Sequence, residues 1–251
     1  MFVAAVVLLV SFVLIQRRVE HPLLPLRVVQ DRNRAGSYLA MFIAGVGMFG
    51  VFLFLTYYLQ QTLGFTPIQT GLAFLPMTGV VMISATASTA ALLPRFGPRR
   101  LVTIGMALSA VAMALLTRIG VDSSYATVVL PPLLLMGAGL GLVFAPAMST
   151  ATFGIDPQDA GVGSALVNTM QQVGGSLGTA LLSTLAASAT SAYISARQPS
   201  AEVLAHAAVH GYTVAFWISA GIFLLGAVIC SSLLPRRAAA VDPNAEPVLV
   251  H

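Results

Sequence analysis

Hydrophobic residues run through this chain in long blocks that charged residues interrupt only at intervals. Charge-free stretches cover 1–16, 35–94, 101–117, 123–155, 160–196 and 203–235. A helix needs about 20 apolar residues to cross the hydrocarbon core of a bilayer, so each stretch after the first two predicts one crossing. The stretch 35–94 has room for two, and the polar turn Gln60-Gln61-Thr62-Leu63-Gly64-Phe65-Thr66-Pro67 divides it. The pattern predicts an all-α integral membrane protein with six complete spans, near 36–61, 67–93, 101–118, 126–150, 160–188 and 211–234.

Residues 1–15 are apolar too, but at about 1.5 Å per residue they reach about 22 Å, short of a core of about 30 Å. They lack a basic leader and stop at Gln16-Arg17-Arg18, so they read as the tail of a longer helix rather than as a signal peptide. The expected organisation is the end of a linker transmembrane helix at 1–16 and an Arg-rich cytoplasmic loop at 17–35. A six-helix bundle at 36–235 and a disordered polar tail at 236–251 follow. On this reading the chain starts inside a larger protein or a mis-called reading frame.

Composition and charge narrow the picture. Of 251 residues, 57% are hydrophobic and 8% charged, against about 25% charged in soluble domains. A net charge of +4 raises nucleic acid as a partner, but all 12 basic residues are arginines set beside apolar spans, and no basic face forms. Ten of the 12 lie within 16–34, 95–100 and 236–237. Positive residues are retained on the cytoplasmic side, which places those segments inside and the connections 62–66, 118–125 and 197–210 outside. The protein expected is multi-pass in the plasma membrane, with a cytoplasmic C-terminus and lipid as its surroundings. A single cysteine, Cys230, excludes an internal disulfide and a cysteine-rich metal site.

Two helix starts are legible. Thr66-Pro67-Ile68-Gln69 is a capping box with proline at the first helical position, and Asp156-Pro157-Gln158-Asp159 repeats the arrangement 90 residues later. Each opens the second helix of a set of three, one entered from outside and the other from inside. That is the signature of an inverted 3+3 repeat.

Catalytic apparatus is missing from the sequence: there is no phosphate-binding loop, nucleophile elbow or metal-ligand cluster. Neither enzymatic activity nor a bound cofactor is expected. His206 and His210 stand one helical turn apart in what reads as an outer loop and form a solvated pair. No Asp, Glu or Lys falls within a complete span, and the one Arg, Arg118, stands at the very end of the third, so a proton carrier of the usual kind is absent from these residues. The richest polar surface follows Asp159, where Asn168, Gln171, Gln172, Ser176, Thr179 and Ser183 recur at helical spacing. Amides in hydrocarbon are stranded, so these side chains either line a cavity for polar or amphipathic solutes or hydrogen-bond neighbouring helices. The serines and threonines suit the second role better. Tyr57 and Gln61 join Asn168, Gln171 and Gln172 as cavity candidates, although an interfacial aromatic belt also accounts for Tyr57, Tyr58, Tyr212, Phe216 and Trp217. Gly137, Gly139 and Gly141 before Pro146, and Gly174 and Gly178, provide small surfaces for close helix packing. Pro76 and Pro146 kink their helices, as static bends more than as flexure points.

The turn Arg95-Phe96-Gly97-Pro98-Arg99-Arg100 resembles the cytoplasmic loop motif of the major facilitator superfamily, with Pro94 where the motif carries its aspartate. The acid's gating role does not transfer. His21-Pro22-Leu23-Leu24-Pro25-Leu26, Thr66-Pro67 through Pro76, Gly137 through Pro146, and Gly161 through Gly178 are similar in order and spacing to the fourteen-span drug:proton antiporters of the EmrB/QacA type. The resemblance covers almost the whole chain. It implies the C-terminal half of an alternating-access multidrug exporter, driven by the proton gradient, with amphipathic or hydrophobic compounds as substrates. The coupling acids belong to the N-terminal six-helix bundle, its partner. A transporter of one metabolite and a non-transporting membrane fragment are the alternatives.

Overall fold

The computed structural model describes residues 31–155, 160–198 and 200–234, together with five isolated helical positions, Val7, Val10, Ser11, Leu14 and Ile15. Six α-helices and no strands form among residues 31–234 as described. They are α1 (Arg32–Tyr57), α2 (Pro67–Ala87), α3 (Leu93–Leu116), α4 (Leu130–Thr152), α5 (Ala160–Ser195) and α6 (Ala201–Leu233). Single π-helical turns extend α1 over Tyr58–Thr62, extend α2 over Ser88–Leu92 and lead into α4 over Tyr125–Val129.

Local chemistry explains the punctuation. Thr66 Oγ1 accepts from the Gln69 N–H at 3.3 Å while the Thr66 N–H donates to Gln69 Oε1 at 2.9 Å, so the first capping box is complete. The second, at 156–159, lies outside the described residues. Helical structure runs from Pro67 to Leu116, 50 residues, or about 75 Å at 1.5 Å each, more than twice a bilayer core. It is two spans, because Gly97 breaks the run with φ 74° and ψ 162°. Only glycine adopts that conformation readily, and Pro98 then opens the next helix with its φ already set.

The last two helices overrun the expected spans. α5 continues to Ser195 past residue 188, and α6 starts at Ala201, before the expected 211. The connection read as 197–210 is therefore mostly helix: Ser200 caps it by accepting from the Val203 N–H, and alanines sustain it. His206 and His210 sit on this first part of α6, not in a loop.

Packing follows a two-fold plan. α1 lies along α5 and α4 along α2, α1 also meets α6 and α4 meets α3, and the pairs α1·α4 and α3·α6 cross the middle. Exchanging α1 with α4, α2 with α5 and α3 with α6 maps these pairs onto one another, in keeping with an inverted 3+3 repeat, while α5 also packs on α6 without a comparable α2·α3 pair. Glycines set the two equivalent seams. Gly45 of α1 stands against the Gln171 carbonyl of α5, and a Cβ on Gly141 of α4 would lie 2.8 Å from the Val81 carbonyl oxygen of α2. Val81 and Gln171 are separated in the chain by the same interval as Thr66 and Asp156. Gly174 and Gly178 press on Phe42 and Val46, Gly137 on Met77, and Gly139 on Gly105, so these glycines are packing surfaces.

Candidate substrate cavity

α2 and α5 flank the bundle without forming a packed pair, while α3 and α6 pack on one another behind α4 and α1. The four helices α2, α4, α1 and α5 thus follow one another in that order, and the face they share opposite α3 and α6 is the candidate trough. α5 is the least buried wall: 17% of its most apolar stretch is buried, against 61% for α1.

The three α5 amides fall within one arc of about 100°, with Asn168 between Gln171 at one edge and Gln172 at the other. Gln171 turns into the α1 seam, half-buried, with Nε2 3.9 Å from Met48 Sδ. Asn168 and Gln172 are exposed on the described body, and neither side chain makes a hydrogen bond there. Ser176 donates to the Gln172 carbonyl at 2.9 Å and Thr184 to the Ala180 carbonyl at 2.8 Å, one turn back on their own helix.

Tyr57 and Gln61 are elsewhere. Gly45 is level with Gln171 where the parallel α1 and α5 touch, so Tyr57 sits about 18 Å farther along α1. Tyr57 is 43% exposed, and Gln61 Oε1 accepts from the hydroxyl of Tyr212 on α6 at 3.4 Å. The structure thus joins Asn168 with Gln172 on one wall and Gln61 with Tyr212 at the far end of the bundle. Near that end a groove of about 590 Å³ is lined by Leu63, Phe65, Gln69, Leu72, Pro76 and Tyr125. Pro146, by contrast, is buried within α4.

At the opposite end Arg95 and Arg100 are exposed around the buried Gly97. A contact that sequence reasoning missed lies at this end: Arg34 Nη2 donates to the carbonyls of Phe153 at 3.3 Å and Gly154 at 3.0 Å. A cation thereby seats on the C-terminal end of α4, where unpaired carbonyls and the helix dipole favour it. No sequence pattern pairs residues so far apart in the chain.

Helices of this length and apolarity define a polytopic membrane protein. The chain belongs to the major facilitator superfamily, whose family model matches residues 1–179. It is 44% identical to the puromycin resistance protein of Streptomyces alboniger over 96% of this chain and 48% of that protein. The cephamycin export protein of Amycolatopsis lactamdurans is 32% identical over 94% of this chain and 46% of that protein. A multidrug resistance protein B homologue of Mycobacterium tuberculosis is 35% identical over 67% of this chain and 31% of that protein. The chain spans about half the length of the first two relatives.

Proposed function

We propose that this chain is the C-terminal six-helix half of a proton-coupled exporter of antibiotics and other amphipathic compounds. The observation that carries the proposal is the pair Asn168 and Gln172. They are amides on a membrane helix, exposed and without hydrogen-bond partners among the described residues. Hydrocarbon would strand several donors and acceptors on each, so the α5 wall faces water, a substrate or a second polar wall. A trough open on that side suits a partner half that closes it into a central cavity. The names of the relatives, which concern resistance to or export of antibiotics, support the substrate class.

Orientation follows from the arginines, which put both ends of the bundle in the cytoplasm of a plasma-membrane protein. Alternating access would open the trough to each side in turn. The complete spans lack any acid to carry the proton, so coupling falls to the other half. The protein acts as a transporter and not as an enzyme.

The test is substitution in the transporter that contains this chain. Gln172→Ala should change which compounds are exported while leaving abundance unaltered, because no buried partner is orphaned. Gln171→Ala, at a helix seam, should lower abundance and all activities together. A uniform loss in Gln172→Ala that tracks abundance would defeat the proposal.

A further inference from the structure

We infer that His206 and His210 form a two-imidazole site for a divalent transition-metal ion on the first turns of α6. The inference stands apart from the exporter reading and needs only that these residues be helical. They are: α6 begins at Ala201, and Ser200 caps it. Residues four apart on a helix share one face, with Cβ atoms about 5–6 Å apart. Two histidines at that spacing can share one zinc ion. Both side chains are exposed, whereas Ala207 and Val209 between them are buried, so the two imidazoles face solvent together while the rest of the turn packs. α6 has 33 residues, about 50 Å at 1.5 Å each against a hydrocarbon core of about 30 Å. Residues 201–210 precede the apolar part that spans it, so the pair stands in the aqueous phase where ions can reach it.

The neighbours fit this chemistry. The His210 ring lies against the Tyr193 ring of α5, with centroids 5.2 Å apart and a tilt of 39°, so the imidazole is braced from one side. Tyr193 also carries Arg197, whose guanidinium carbon is 3.6 Å from the ring centroid and whose Nη1 donates to the Tyr193 carbonyl at 3.0 Å. That cation opposes a second positive charge nearby, but both contacts hold it on the tyrosine. Glu202, exposed one turn before His206 on the same face, supplies the offsetting negative charge. Imidazole nitrogens suit zinc, nickel(II) and copper(II), whereas calcium and magnesium take oxygen ligands. No group of three or more His, Cys, Asp or Glu able to hold a metal gathers among the described residues. Water therefore takes the remaining positions, and the ion exchanges with the medium. Because chelation requires helical register between 206 and 210, the bound ion favours the folded first turns of α6.

The experiment titrates zinc alone into the transporter containing this chain, freed of any purification tag, by isothermal calorimetry. The wild type should show a zinc site that His206→Ala and His210→Ala each weaken at least about tenfold, because losing one ligand forfeits the high local concentration of the other. Both positions are exposed, so neither variant should lose folded protein, and size-exclusion profiles check this. Glu202→His combined with His210→Ala sets a pair at the same spacing one turn earlier and should regain most of the lost affinity. Ala205→His combined with His206→Ala keeps the number of histidines but turns the two about 140° apart, and should bind zinc as weakly as the single variants. Four outcomes would overturn the inference: no zinc bound by the wild type, unchanged affinity in both single variants, a loss that the earlier pair does not recover, or wild-type affinity in the out-of-register variant.

Discussion

Gly174→Ala adds a single methyl group to the α1·α5 seam, and the structure says what it would strike. Its Cβ would collide with the carbonyl oxygen of Phe42 and lie 2.8 Å from the carbonyl carbon and 3.0 Å from the Cα. All three are backbone atoms of a buried helix, so no side-chain rotation relieves the overlap, and α5 must move away from α1 along its length. Overpacking of this kind costs about 1–3 kcal/mol. At about 2–4 °C per kcal/mol for a chain of this size, the melting temperature should fall by several degrees. Gly221→Ala is the internal control: nothing lies within 4 Å of its Cβ position, and it too is helical. There alanine improves helix propensity by about 0.8–1 kcal/mol, and the melting temperature should hold or rise. Thermal unfolding of both variants in detergent, followed through Trp217 fluorescence, provides the comparison. Equal shifts for the two would refute the claim that the seam depends on backbone approach at Gly174.

Gly97→Ala forces a side chain into a backbone conformation reserved for glycine, at a cost of about 1–3 kcal/mol, and should reduce the yield of folded protein measured by size-exclusion profile. Arg34→Gln removes the cation from the C-terminal carbonyls of α4 and should lower stability by about 0.5–1 kcal/mol at low salt. The difference from wild type should shrink in high salt, as thermal unfolding across ionic strength would show. Thr66→Ala takes away half of the capping box and should cost about 1 kcal/mol, read as an earlier melting transition.

Much of the fold was legible because lipid simplifies the code. Charge-free runs broken by Gln60–Pro67 and by Arg95–Arg100 delimit helices, and capping chemistry at Thr66 is local enough to read from four residues. The early start of α6 was less legible. Glu202, His206 and His210 make residues 201–210 look polar, although Ser200 and the alanines between them carried a helix signal. At the site, Asn168, Gln171 and Gln172 were legible as one polar face, whereas the turn of Gln171, at the edge of that face, toward Met48 of α1 was not. Tyr57 and Gln61 could be placed only by the parallel packing of α1 on α5.

The account depends most on the claim that the Asn168–Gln172 side of α5 faces water and not lipid. Cysteines placed one at a time at Gln172 and at Leu177, with Cys230 replaced by alanine, test it in the membrane-embedded transporter. Leu177 is 58% exposed on the apolar side of the same helix. A membrane-impermeant, water-soluble maleimide should react rapidly with the cysteine at 172 and scarcely at 177, and a transported compound should slow the first reaction. Equal protection of both positions, or faster labelling at 177, would contradict the account.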